Sequence, residues 1–299
     1  MHLIVHIGFH KTASTFLQSL LNENHAALAE RGIWYAPCPQ DCPEHHPIAW
    51  ALMGGDTGPF QAMLRDAAAN GCHTVLFSSE ELECVPFNQQ LADLIESTAL
   101  ASGVKTIEWD VVLRDPGEYF ASLHAQLHWH TYADSLFMFT EVMNKGMLFM
   151  SDPMPKSGTR PYWFFCFDHH SYVGNFVRST AAPVHVHDYA DGQPFPGWRM
   201  LDRIGALDAL VRPAGNPNAR NPRRDELKIA SGFCDRVMEA VNAPQWLPEL
   251  APAIEDCLRA NLAGVPVFAE AVGKRYGPSY RAAIREFGPA DVREVAKAG

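Results

Sequence analysis

Residues GFHKTAST (8–15) combine types that together can hold an anion: Gly8, the ammonium of Lys11, and the hydroxyls of Thr12, Ser14 and Thr15, with His10 and Ala13 completing the segment. A loop that leads from a strand into a helix turns successive backbone N–H groups and the positive end of the helix dipole toward one point. That point suits a phosphate. The plainer alternative is a helix start in which Thr12 caps the backbone and Lys11 is solvated. A second cluster stands in VVLRDPGEYFASLHAQ, where Arg114 precedes Ser122 by eight residues. A guanidinium fork and a hydroxyl on the following helix suit a phosphate monoester, although an arginine at a strand end also serves as a solvated ion-pair partner. Between the two clusters, FSSEEL (77–82) supplies Glu80 and Glu81. Glu80 is the first candidate for a general base, against the alternative that it only complements a helix dipole. His10, an imidazole that titrates near neutrality, competes for the role.

These groups work only if the fold brings them to one edge. Residues 2–8 read as a buried parallel strand, and the segment from Thr12 places Phe16, Leu17, Leu20, Leu21 and Leu28 on one helical face, with Gly32 as a stop. Further strands are expected over 73–79, followed by a helical pattern around Leu91, Leu94 and Ile95, over 106–114, which feeds directly into a helix at Pro116, and over 183–189. At the start of the helix after 106–114, Asp115 can cap, Pro116 suits the first position and Glu118 completes a capping box. An aromatic helical stretch is expected from Tyr162 to Phe176. Alternating strands and helices predict an α/β fold, a parallel β-sheet flanked by helices, with ligands bound beyond the carboxyl ends of the strands. After about residue 195 the pattern is mainly helical. No linker or repeat divides the chain, so residues 1–299 are read as a single domain.

With 47% hydrophobic and 19% charged residues, the 299-residue chain can bury a full core. Its net charge of −10 argues against a nucleic-acid or anionic-membrane surface, so an anionic ligand must be held locally. The amino terminus lacks the layout of a secretory signal, and no apolar run is long enough to span a membrane. Seven scattered cysteines and the lack of an Asn-x-Ser/Thr sequon favour reduced thiols and the cytoplasm. Cys38 and Cys42 have no second pair for a zinc site. His124 and His128 share a helical spacing but lack a carboxylate at ligand spacing, so no metal is expected; either could line an acceptor pocket. The pairs His45-His46 and His169-His170 read as loop or helix-end residues, and YWFFCF (162–167) as core or as an apolar acceptor pocket.

A Walker loop places glycine directly before the lysine, whereas here Phe9 and His10 intervene between Gly8 and Lys11. HIGFHKTASTFLQ instead resembles the 5′-phosphosulfate loop of the sulfotransferases, with Lys11, Thr12, Ser14 and Thr15 at the matching positions and Ala13 where glycine is common. A positive φ there would strain alanine. Arg114 and Ser122 are similar to that family's 3′-phosphate pair, and Glu80 aligns with the glutamate of related Ser-Ser-Glu segments. NPNARNPRRDELKIA (216–230), with Arg220, Arg223 and Arg224, resembles its polar loop closing over the nucleotide. The resemblance implies a P-loop-like sulfotransferase fold and 3′-phosphoadenosine-5′-phosphosulfate (PAPS) as donor, with Lys11 stabilising the leaving group and no metal required. The acceptor would be a small molecule, a lipid or a carbohydrate.

Overall fold

The computed structural model describes residues 1–130, 134–150, 162–211 and 250–289, with the backbone alone at 128–130. Seven strands are described: β1 (His2–His6), β2 (Ile33–Tyr35), β3 (Thr74–Ser78), β4 (Thr106–Leu113), β5 (Met147–Met150), β6 (Trp163–Cys166) and β7 (Val184–Asp188). Five form a parallel sheet in the order β2-β3-β1-β4-β7, while β5 and β6 pair antiparallel. The helices are α1 (Ser14–Glu23), α2 (His25–Glu30), α3 (His46–Met53), α4 (Gly58–Ala69), α5 (Gln89–Ala101), α6 (Pro116–His130), α7 (Ser135–Lys145), α8 (His169–Ser179), α9 (Trp198–Arg203) and α10 (Leu250–Phe287).

The apolar run of β1 follows from burial on both faces. Leu3 and Val5 join Val75, Phe77, Trp109 and Val111 in one core, and Ile4 joins Leu76, Leu17, Leu20 and Leu28 in a second core across the sheet. The fold is thus α/β with helices on both faces of a parallel sheet. From β1 the chain crosses toward β2, and from β4 it crosses toward β7. The loops after β1 and β4 therefore diverge, and the crevice between them is the switch point where open α/β sheets bind ligands.

Three expectations need correction. The helix from Thr12 begins at Ser14 and stops at Glu23, so Leu28 belongs to α2, though it packs in the same core. Tyr162–Phe176 is not one helix. Residues 163–166 pair with β5 as a fully buried strand, and α8 starts only after Asp168, which caps it by accepting from the Ser171 N–H. The YWFFCF aromatics are accordingly core. Finally, Asp115 Oδ1 does cap α6, accepting from Gly117 N and Glu118 N at 2.9 and 3.1 Å, but the Glu118 carboxylate turns to Arg114 instead of closing a capping box.

The start of α6 is fixed by α10. A Cβ on Gly117 would lie 2.7 Å from the Ala269 carbonyl oxygen, so the two helices approach this closely only through glycine. No described helix is long and apolar enough to cross a membrane.

Candidate functional site

The loop after β1 is built against β4 and the end of β3. Ile7 and Phe9 donate their N–H groups to the Asp110 and Val112 carbonyls, both at 3.0 Å, so pairing with β4 continues beyond the strand. Gly8 adopts a φ of 77°, and a Cβ there would stand 2.8 Å from Glu80 Cβ. Glycine is required at this position both by conformation and by the passage of Glu80. Lys11 and Ala13 then have φ of 60° and 62°, whereas Thr12 between them does not share this hand. Alternation of hand turns neighbouring N–H groups into one concavity, the geometry of an anion-binding nest.

Ala13 is also the N-cap of α1 and gives it no side-chain cap. A left-handed alanine costs on the order of 1 kcal/mol or more. Ala13→Gly is therefore expected to raise stability by about 1 kcal/mol, or Tm by roughly 2–4 °C in a chain of this size. Thermal or urea unfolding checks this, and an unchanged or lowered midpoint would show that the loop carries no such strain.

Thr12 does not present its hydroxyl as a donor toward the crevice. It donates to the Phe9 carbonyl at 2.6 Å, closing the loop from within, and it is not the cap of α1 either. Ser14 is buried and Thr15 half-buried at the first turn of α1.

Arg114 stands on the other side of the crevice. Its Nη1 donates to the Lys11 carbonyl at 2.7 Å and its guanidinium lies 4.7 Å from the Tyr189 ring centre. Loop and arginine, 103 positions apart, are thereby joined. Beside them opens a cavity of about 570 Å³ lined by Ala13, Asp115, Glu118, Tyr189, Gln193 and Tyr280, among others. Ser122 lies half-buried farther along α6.

Glu80 begins the 3₁₀ segment Glu80–Phe87 directly after β3, and only 8% of it is exposed. Burial alone would push its carboxyl up. The electrostatic influence of His46 and His10, the amide of Gln18 at 2.9 Å and a backbone N–H outweigh that and bring it down to about 2. Glu80 is therefore an ionised acceptor at neutral pH. His46, read from the sequence only as a helix-end residue, places Nε2 3.7 Å from Glu80 Oε1 and is held through Nδ1 by Ser79 Oγ at 2.8 Å.

Glu83 escaped notice in the sequence. Wholly buried, it receives His10 N (3.2 Å), His10 Nδ1 (2.9 Å), Tyr119 OH (3.1 and 3.0 Å) and Cys166 N (2.8 Å). Burial works against a charged His10, but Glu83, with Glu81 and Glu80 nearby, raises its pKa above the ordinary value. The His10 N–H and imidazole thus face Glu83 at the back of the loop. They brace the concavity and are not directed at a ligand through those atoms. The carboxylate in the ELECVPF run, three residues after Glu80, is the one signal that could have found it.

His124 is buried in α6 at 1% exposure, so it does not line an open pocket. His169 is wholly buried and neutral, packed edge-on against Phe9. Among the described residues no three His, Cys, Asp or Glu side chains form a cluster that could hold a metal ion. Arg220, Arg223 and Arg224 lie outside the described residues, as does the side chain of His128. Compared with protein-family models, with curated proteins and with solved structures, the chain matches none.

Proposed function

We propose that this protein is a sulfotransferase of P-loop-like fold that binds PAPS and passes its sulfuryl group to a hydroxyl or amine. The observation that carries the reading is the union of the Lys11–Ala13 nest with Arg114 across the switch point of the sheet, beside a cavity large enough for a nucleotide. Two phosphate-suited clusters at one sheet edge fit a donor with phosphate at both 5′ and 3′ positions better than a donor with a single phosphate chain.

In the proposed step the acceptor oxygen or nitrogen attacks sulfur in line with the bond from sulfur to the 5′-phosphate oxygen. As the new bond forms, the old one breaks, and adenosine 3′,5′-bisphosphate leaves with the electron pair. Lys11 and the nest N–H groups stabilise the charge that gathers on the 5′-phosphate. Glu80 accepts the acceptor's proton. With its carboxyl held near 2, Glu80 is always in the accepting form but weakly basic, so it takes the proton late, when sulfuryl bonding has acidified the acceptor. That weak basicity is also the observation that favours a second reading, an anion-binding protein on the same fold without turnover.

Ligand-dependent melting tests the donor. A ligand that binds only the native state at a hundred times its Kd adds about 2.7 kcal/mol. Adenosine 3′,5′-bisphosphate is expected to raise Tm by several degrees and ATP with magnesium to raise it little. Stabilisation by ATP and not by the bisphosphate would instead identify a nucleotide kinase or hydrolase. Tight bisphosphate binding with no labelled sulfate transferred to any acceptor in a broad scan would favour the second reading.

A further inference from the structure

Arg114 is held on three sides, and the three are not equivalent. Its Nη1 is fixed by the Lys11 carbonyl at 2.7 Å, and its plane is fixed by the Tyr189 ring, 4.7 Å away. The third side is the edge formed by Nε and Nη2, the pair of parallel donors that a phosphate grips in a bidentate fork. Here that edge holds one oxygen, Glu118 Oε2, at 3.3 Å from each nitrogen. These contacts are longer than the roughly 2.7–2.9 Å of a well-made charged pair. The Glu118 side chain is 63% exposed against 18% for Arg114, and it lines the cavity beside the loop. Glu118 is thus loosely held on the paired-donor edge of Arg114.

We infer that Glu118 is a specificity-determining residue that tempers the preference for a 3′-phosphate: its carboxylate occupies the phosphate position on Arg114, and a 3′-phosphate must displace it. The inference rests on the donor reading above. A dianionic phosphate monoester offers more charge and more oxygens than one carboxylate, so it wins the fork. A ribose 3′-hydroxyl does not, and leaves Glu118 in place. Glu118 thereby narrows the gap between nucleotides with and without the 3′-phosphate, because only the former must break its contact with Arg114 in order to bind. The cost of displacement is modest, since an exposed pair of this kind is worth only a few-fold in an equilibrium constant.

Calorimetric titration of the full chain and of Glu118→Gln with adenosine 3′,5′-bisphosphate and with adenosine 5′-phosphate tests this. Removing the competing charge should tighten bisphosphate binding about three- to tenfold and change 5′-phosphate binding less than about twofold, with the gain shrinking in high salt. Matching melting curves without ligand would show that the variant folds as the parent does. Equal gains for both nucleotides would mean a general charge effect and overturn the inference, as would unchanged or weaker bisphosphate binding in the variant. If the parent chain binds no bisphosphate at all, the donor reading itself falls, and this inference with it.

Discussion

Glu80→Gln is expected to lower sulfuryl transfer by roughly 10²-fold or more, the usual contribution of a positioned base, while bisphosphate affinity stays within about threefold by the same separation of proton transfer from binding. The fold should tolerate the change. The Oε1 of Gln18 is buried without a partner, so a flip of the Gln18 amide lets it accept from the new amide at position 80. Because Glu80 is held near 2, its accepting form persists through the whole range in which rates can be measured. Glu80 itself should then give no acid limb in the rate profile down to pH 5. Initial rates of parent and variant across pH 5–9, with bound bisphosphate measured in parallel, decide the matter. A variant with parental turnover would remove Glu80 from the mechanism, and lost affinity alongside lost turnover would make it a binding residue.

The parts of this site that were legible in the sequence are those governed by local chemistry. The strands over 2–6, 74–78 and 106–113 announce themselves as largely apolar runs because they lie inside the sheet, whereas the edge strand over 184–188 alternates valine and histidine and is only partly buried. Gly8, Lys11 and Arg114 stand out because glycine, lysine and arginine at strand ends suggest an anion before any geometry is known. The edge strand β2 is only three residues long and carries no comparable pattern. Glu83 was hidden because its meaning lies in donors from three other segments, His10, Tyr119 and Cys166, that only the fold assembles. His46 was hidden for the same reason: its partner Glu80 is 34 residues away and reaches it through the crossover after β2. Thr12 misled in the opposite direction. A hydroxyl in a phosphate-like segment suggests a ligand donor, yet the two left-handed residues around it close the turn tightly enough that it bonds Phe9 instead.

The same burial makes the protein steeply sensitive to acid. His6, His45 and His169 are each almost wholly buried, and burial, the largest influence on each, pushes their pKa values from 6.5 down to about 4, about 4 and about 3. His45 is satisfied as a neutral ring, accepting from Ser78 N at Nδ1 and facing the Ala36 carbonyl through Nε2; His6 meets Ser78 Oγ. A pKa depressed by folding stabilises the native state above the unfolded value and is lost as pH falls through the folded one. Each histidine therefore gives up stability between about pH 6.5 and 4, on the order of 3 kcal/mol apiece. With three protons taken up on unfolding, the slope near pH 5 is about 4 kcal/mol per pH unit, against a total stability of about 5–15 kcal/mol. Glu80 adds to the loss as pH falls from 4.5 toward about 2. His10 acts in the other window: its raised pKa stabilises the fold below 6.5 and is lost as pH rises through the folded value. Maximum stability is thus expected close to neutrality, with unfolding between pH 4 and 5. Urea unfolding at pH 5 and 7 measures the slope, and His6→Asn, which keeps a partner for Ser78 but cannot titrate, should reduce it by about a third. A stability that stays level from pH 7 to pH 5 would mean that these histidines are charged in the folded protein.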